Sequence, residues 1–151
     1  MIPRANRALP LRQIIRLLPA IARSVLELAI ARFRHRRLQA QDIKFLNTQA
    51  LNHGRAAIEA TADDAQLVQQ IGYIVPRVAN RLPWRADCLV QAMAAQHWLA
   101  NKGIAATITI GVDKSDRLGF EAHAWLNYGD VVVTGGQISS YTVMIQHEGN
   151  A

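Results

Sequence analysis

Leu82 to Gly103 reads LPWRADCLVQAMAAQHWLANKG, and the fold turns on how that stretch is divided. Its approach through Asp87 is polar and contains Pro83. From Cys88 onward the apolar residues Leu89, Val90, Met93, Trp98 and Leu99 predict a helix, and Gly103 stops it as a C′ glycine. Asp87 or a close neighbour can cap that helix. Helical patterning precedes this stretch, and strand patterning follows it.

Downstream, Ile104–Val112 is rich in β-branched residues and short enough for a strand. Asp113–Gly119, DKSDRLG, has a turn composition. Phe120–Tyr128 and Val131–Thr134 read as further strands joined tightly through Gly129-Asp130. Gly135-Gly136 turns again, and Tyr141–Ile145 supplies a fourth strand. The expected sheet is an antiparallel meander.

Upstream, Leu11, Ile14, Ile15, Leu18, Ile21, Ala22, Val25, Leu28 and Ala29 recur at helical steps within residues 11–33. Pro19 is expected to kink that helix or divide it. Arg16, Arg23 and Glu27 interrupt any uncharged membrane-spanning run. A weaker helical pattern from Asp42 to Ala60 is interrupted at Gly54. Thr61, with Asp63 and Asp64, caps a helix running to Ala79 that Pro76 bends or shortens. The fold class is therefore α+β, a helical N-terminal half followed by a small antiparallel sheet. We read residues 1–151 as one domain, with 1–80 as helical scaffold and candidate docking surface and 81–151 as the core that holds Cys88 and the strands, the candidate catalytic part.

The chain has 151 residues and a formal charge of +6, unevenly spread. Residues 1–40 hold nine arginines and one acid, Glu27, whereas the remainder is slightly acidic. A basic amphipathic helix of this kind packs on its own domain, docks a partner, or lies on an anionic membrane. The RFRHRR cluster, Arg32–Arg37, complements a helix C-terminus. It comes with no aromatic platform and no zinc-ligand spacing, so neither nucleic acid nor a metal is expected, and no cofactor is implied. One cysteine makes no internal disulfide, and no signal-peptide pattern is evident, which points to the cytoplasm.

A cysteine at a helix start faces unpaired backbone N–H groups and the positive end of the helix dipole, which favour thiolate. Those amides also suit an oxyanion. Asp87 opposes the thiolate unless its side chain turns to cap the helix. The competing reading is a buried, silent thiol, since free cysteine is among the most buried residues. Among the five histidines, His97 lies nine residues along the cysteine's own helix, roughly 13 Å away, and cannot reach it. His35 and His53 lie in the helical region, and His147 lies near the end. His123 sits mid-strand between Ala122 and Ala124, and alternation places it on one face with Glu121 and Trp125. Its competing reading is a satisfied core histidine.

The segments PWRADCLVQAMAAQHWLANKGI, ITIGV, AHAWL and GDVVVTGG resemble the leader peptidase of lasso peptide biosynthesis, in its stand-alone form. That family is a small transglutaminase-like cysteine protease with a transglutaminase/papain-like core, its cysteine at a helix N-terminus and its histidine on a strand. The resemblance covers about residues 80–136. It implies Cys88 as nucleophile and His123 as general base and acid.

In such folds an acidic residue on the next strand orients the imidazole. Here VVVTGGQ holds no carboxylate. Asp130, in the preceding turn, is the first candidate, and Gln137 or a backbone carbonyl is the alternative. Trp84 and Trp125 are candidates for lining the substrate groove or the oxyanion site, with ordinary aromatic packing as the other reading. The implied activity is removal of the leader from a ribosomally made lasso precursor. The implied partners are that precursor, a separate leader-recognition protein and the lasso cyclase. A transglutaminase-type acyl transferase and a non-catalytic interaction module with a structural thiol are the alternatives.

Overall fold

A computed structural model describes residues 11–113 and 121–145, and the turn read over Asp113–Gly119 lies beyond Asp113 outside them, as does His147. Helices come first: α1 (Leu11–His35), α2 (Ala40–His53), a 3-10 turn at Ala57–Glu59, α3 (Ala62–Ala79) and α4 (Cys88–Ala100). Four strands follow: β1 (Thr107–Asp113), β2 (Glu121–Tyr128), β3 (Val131–Thr134) and β4 (Thr142–Ile145). The helices-then-sheet α+β order expected from the sequence is the order observed.

Local chemistry accounts for the boundaries. Thr61 Oγ1 accepts from the Asp64 amide, and the Asp64 carboxylate accepts from the Thr61 amide, closing a reciprocal cap on α3. Arg55 donates two hydrogen bonds to the same carboxylate, at 3.2 and 2.7 Å, tying the segment after α2 to the start of α3. Gly54 ends α2, and its amide donates to the Ala50 carbonyl. Pro76 neither ends nor shortens α3, which runs on to Ala79.

Two expectations need correction. Pro19 does not divide α1, which is one helix from Leu11 to His35. Proline removes a hydrogen bond to the carbonyl one turn earlier, but Ile15 and Pro19 both face solvent there, so water can satisfy the carbonyl. The buried stripe of α1 also follows the apolar one only in part, at Leu28. It comprises Ser24, Glu27, Leu28 and Ala31, whereas Ile15 and Leu18 are more than half exposed.

The sheet order is β3-β2-β1-β4, so β4 returns to pair with β1 instead of continuing a meander past β3. β4 pairs with β1 only over Ile110–Val112. Ile108, further along β1, therefore lacks a strand partner on that side. Asn47 of α2 replaces one: its Nδ2 donates to the Ile108 carbonyl and its Oδ1 accepts from the Ile108 amide, both at 2.8 Å. Gln96 of α4 donates to the same Oδ1 and to the Ala106 carbonyl. A buried polar network thus locks α2, α4 and β1 together.

The main core joins Leu28 of α1, Ile71 and Val75 of α3, Leu99 of α4, Ile108 of β1 and Leu126 of β2, all fully buried. It fixes α4 against β2, so the first residue of α4 meets the start of β2. No described helix is long and apolar enough to cross a membrane.

Candidate active site

The residues before α4 are held by backbone and side-chain bonds. Arg32 of α1 donates to the Arg85 carbonyl, and Gln91 donates to the Ala86 carbonyl at 2.8 Å. Asp87 is the N-cap, with extended backbone, and its Oδ1 accepts from the Val90 amide at 3.1 Å. The Gln91 amide donates to the Asp87 carbonyl, beginning the helical ladder. The amides of Cys88 and Leu89 precede that ladder and have no acceptor within the helix. The Asp87 carboxylate is turned to the helix amides, which is the arrangement that lets it sit beside a nucleophilic sulfur. Cys88 is partly exposed, and its Sγ accepts a hydrogen bond from the Ala124 amide at 3.4 Å.

That contact brings the sulfur to the backbone next to His123. Cys88 and His123 line one pocket of about 400 Å³, together with Gln91, Gly72 and the Val132–Gly136 segment. The His123 Nε2 donates to the Gly135 carbonyl at 2.6 Å. A carbonyl can only accept, so Nε2 carries a proton, and in the neutral imidazole Nδ1 is then the nitrogen with the lone pair. The ring stacks on Tyr141 with centroids 4.8 Å apart, and Trp125 lies beyond at 6.1 Å. Burial, followed by the charges of Glu121, Asp113 and Cys88, pushes the Tyr141 phenol above its ordinary pKa.

A family model described as the transglutaminase-like superfamily matches residues 25–146. The chain belongs to the transglutaminase-like superfamily. This is the family with which leader-peptidase-like proteins of lasso peptide biosynthesis are associated. No curated protein and no solved structure matched the chain. The match reaches from mid-α1 through β4 and so takes in both Cys88 and His123.

Asp130 is not the hydrogen-bond partner of the His123 imidazole. Asp130 lies in the β2–β3 turn beyond the Tyr128–Val131 pair. Tyr128 lies five residues along the strand from His123, about 17 Å at the usual rise. Gln137 is exposed and makes no hydrogen bond to His123. The observed partner of the ring is the Gly135 main-chain carbonyl. Gly135 has φ +112°, and a Cβ there would lie 2.3 Å from the Trp125 Cβ, so both backbone shape and space require glycine.

Neither candidate tryptophan lines the pocket. Trp125 is buried between Gly111, Gly135 and Tyr141, where it backs the histidine. Trp84 is half-buried before α4, its Nε1 enclosed without a partner among the described residues. The sequence allows a backbone carbonyl as an alternative partner for His123 but does not single out Gly135, since a main-chain carbonyl leaves no side-chain signature. Tyr141 is missed, being remote from His123 in sequence and read only as the start of a strand. The Gly135-Gly136 pair was the available signal for the carbonyl.

His97 has a different partner. Its Nδ1 donates to the Glu27 carboxylate at 2.6 Å, and Arg23 pairs with the other oxygen of that fully buried group. This ion-paired cluster joins α4 to α1 at the end of α4 away from Cys88.

Proposed function

We propose that the protein is a cysteine endopeptidase that removes the leader from a ribosomally synthesised lasso precursor. The observation that carries this reading is the His123 Nε2 bond to the Gly135 carbonyl, because it leaves Nδ1 as the base in a pocket shared with Cys88. Superfamily membership supports the same chemistry.

In the proposed reaction, His123 Nδ1 takes the Cys88 thiol proton as Sγ attacks the carbonyl at the leader–core junction. The developing oxyanion is received by the free amides at the start of α4, those of Cys88 and Leu89. As the C–N bond breaks, the imidazolium gives its proton to the departing core amine. The leader is then held as a thioester on Cys88. His123 next deprotonates a water that attacks the thioester, and the thiolate leaves, recovers its proton and frees the leader as a carboxylic acid. The Gly135 carbonyl steadies the imidazole in both halves of the cycle.

The precursor is the substrate, and a separate leader-recognition protein and the lasso cyclase are the proposed partners. The test incubates the protein with precursor and leader-recognition protein, beside Cys88→Ala and His123→Ala. Mass spectrometry should find free leader acid and core with wild type alone. Leader joined to an added amine would favour acyl transfer, and no Cys88-dependent product would sink the reading.

A further inference from the structure

A cavity larger than the one holding Cys88 lies elsewhere in the described residues. α1 packs on α3 and α4, while α2 packs on β1 and α4, and the gap between α1 and α2 is a groove of about 790 Å³. Its floor is one face of α4, formed by Met93, Gln96, His97 and Ala100 at helical spacing. Phe33 of α1 and Phe45 of α2 stand on its walls, 77% and 61% exposed. Such large apolar side chains around a concavity mark interaction sites.

The charge of the rim is predominantly positive, with Asp42 the one carboxylate that lines it. Arg34 and Arg37 line the groove and Arg36 lies beside it, and none has an ion-pair partner among the described residues. The two neighbouring carboxylates are already engaged: Asp42 accepts from the Gln39 amide, and Glu27 is buried against Arg23 and His97. We propose that this groove docks an acidic amphipathic helix of a separate protein chain, its apolar face on Phe33, Phe45 and Met93 and its carboxylates on Arg34 and Arg37. Two helical walls over a helical floor suit a further helix. A bilayer lies flat and cannot enter the cleft to reach the buried Ala31 and Met93. Residues 1–10 carry two arginines and no acid, so the same charge argument disfavours the chain's own N-terminus.

The position gives the docking a use. The floor residues lie about 8–18 Å along the α4 axis from Cys88 at 1.5 Å per residue. A protein seated there would present a bound substrate segment within a few extended residues of the sulfur. This use rests on the peptidase reading; the docking itself does not.

The test uses Cys88→Ala protein, so that binding is read without cleavage. The probe is a fluorescent synthetic helix with leucines at i, i+3, i+4 and i+7 and glutamates flanking them, beside a copy with lysine for every glutamate. Fluorescence anisotropy should detect the acidic helix only. Phe45→Ala should weaken it roughly tenfold to thirtyfold, as for a central aromatic anchor, and Arg34→Glu/Arg37→Glu at least about tenfold. Both sites are exposed, and unchanged thermal melts check the fold. Binding of neither helix, equal binding of both, or full binding by the variants overturns the proposal. So does groove-dependent binding of anionic vesicles or an oligonucleotide in place of the helix, or self-association in sedimentation that Phe33→Asp abolishes. A wild-type protein that docks the acidic helix but cuts no precursor would refute the peptidase reading and leave the docking standing.

Discussion

His123 and Gly135 are joined by a 2.6 Å hydrogen bond from Nε2–H to a main-chain carbonyl, so the partner of the imidazole contributes no side chain. Asp130→Asn and Gln137→Ala should therefore leave kcat within about twofold of wild type, since neither group reaches the ring. Gly135→Ala should lower kcat by about 100-fold or more with little change in KM, because displacing the carbonyl misplaces the base. Stopped assays on the precursor measure both. A comparable loss in Asp130→Asn would place the orienter elsewhere.

Tyr141 presents its ring to His123 with centroids 4.8 Å apart, and that contact needs no hydroxyl. Tyr141→Phe should retain activity, whereas Tyr141→Ala should lose roughly threefold to tenfold in kcat, the scale of one aromatic contact. The phenol is pushed above its ordinary value, so the neutral form holds throughout the range in which a Cys–His enzyme works. An alkaline fall in rate below about pH 10 should therefore persist in Tyr141→Phe. If the substitution removes that limb, Tyr141 titrates in the reaction.

The order of elements was legible because periodicity changes at Gly103, and Cys88 and His123 stood out by their local setting. One opens an apolar helix after a polar break, and the other lies between two alanines on a strand. What was illegible depended on contacts remote in sequence. The buried stripe of α1 includes Ser24 and Glu27, which apolar spacing passes over; His97, far along the chain, joins the local Arg23 in pairing with the buried Glu27. β4 pairs back to β1 across the intervening hairpin, a choice that no local pattern encodes. Asp130 is the only carboxylate close after His123 in sequence, but strand geometry carries it past the opposite end of β2.

Asp64 bears on acid stability. The Arg55 guanidinium, followed by the Thr61 amide, holds its carboxyl well below the ordinary carboxylate range. A folded-state pKa below the unfolded one gives stability that is fully present above the unfolded value, near 3.9. That stability is lost as pH falls from there through the folded value. Asp64→Asn should thus be less stable than wild type at neutral pH, and the gap should narrow as the pH drops below about 4. Urea melts across that range measure it; a gap independent of pH would mean that cap geometry, not charge, is what Asp64 contributes.

Asn47 lies outside the active site, yet it completes the ladder that β4 leaves short. Its side chain satisfies both main-chain groups of Ile108, and Gln96 adds a third bond to its Oδ1. Asn47→Ala would leave a buried N–H and C=O without partners, and each such orphan costs about 1–3 kcal/mol. Asn47→Asp keeps the acceptor but replaces the Nδ2 donor with a carboxylate oxygen facing the Ile108 carbonyl, in a site with no solvent exposure. Burying that charge also has a cost, so the aspartate should be at least as harmful as the alanine at neutral pH. Protonation restores a donor, so the aspartate variant should recover part of its loss as the pH falls, whereas the alanine variant should show no such recovery. Urea unfolding of both variants at neutral and mildly acidic pH reads the difference. If Asn47→Ala matches wild type, water or a shifted β4 is completing the edge of β1 instead.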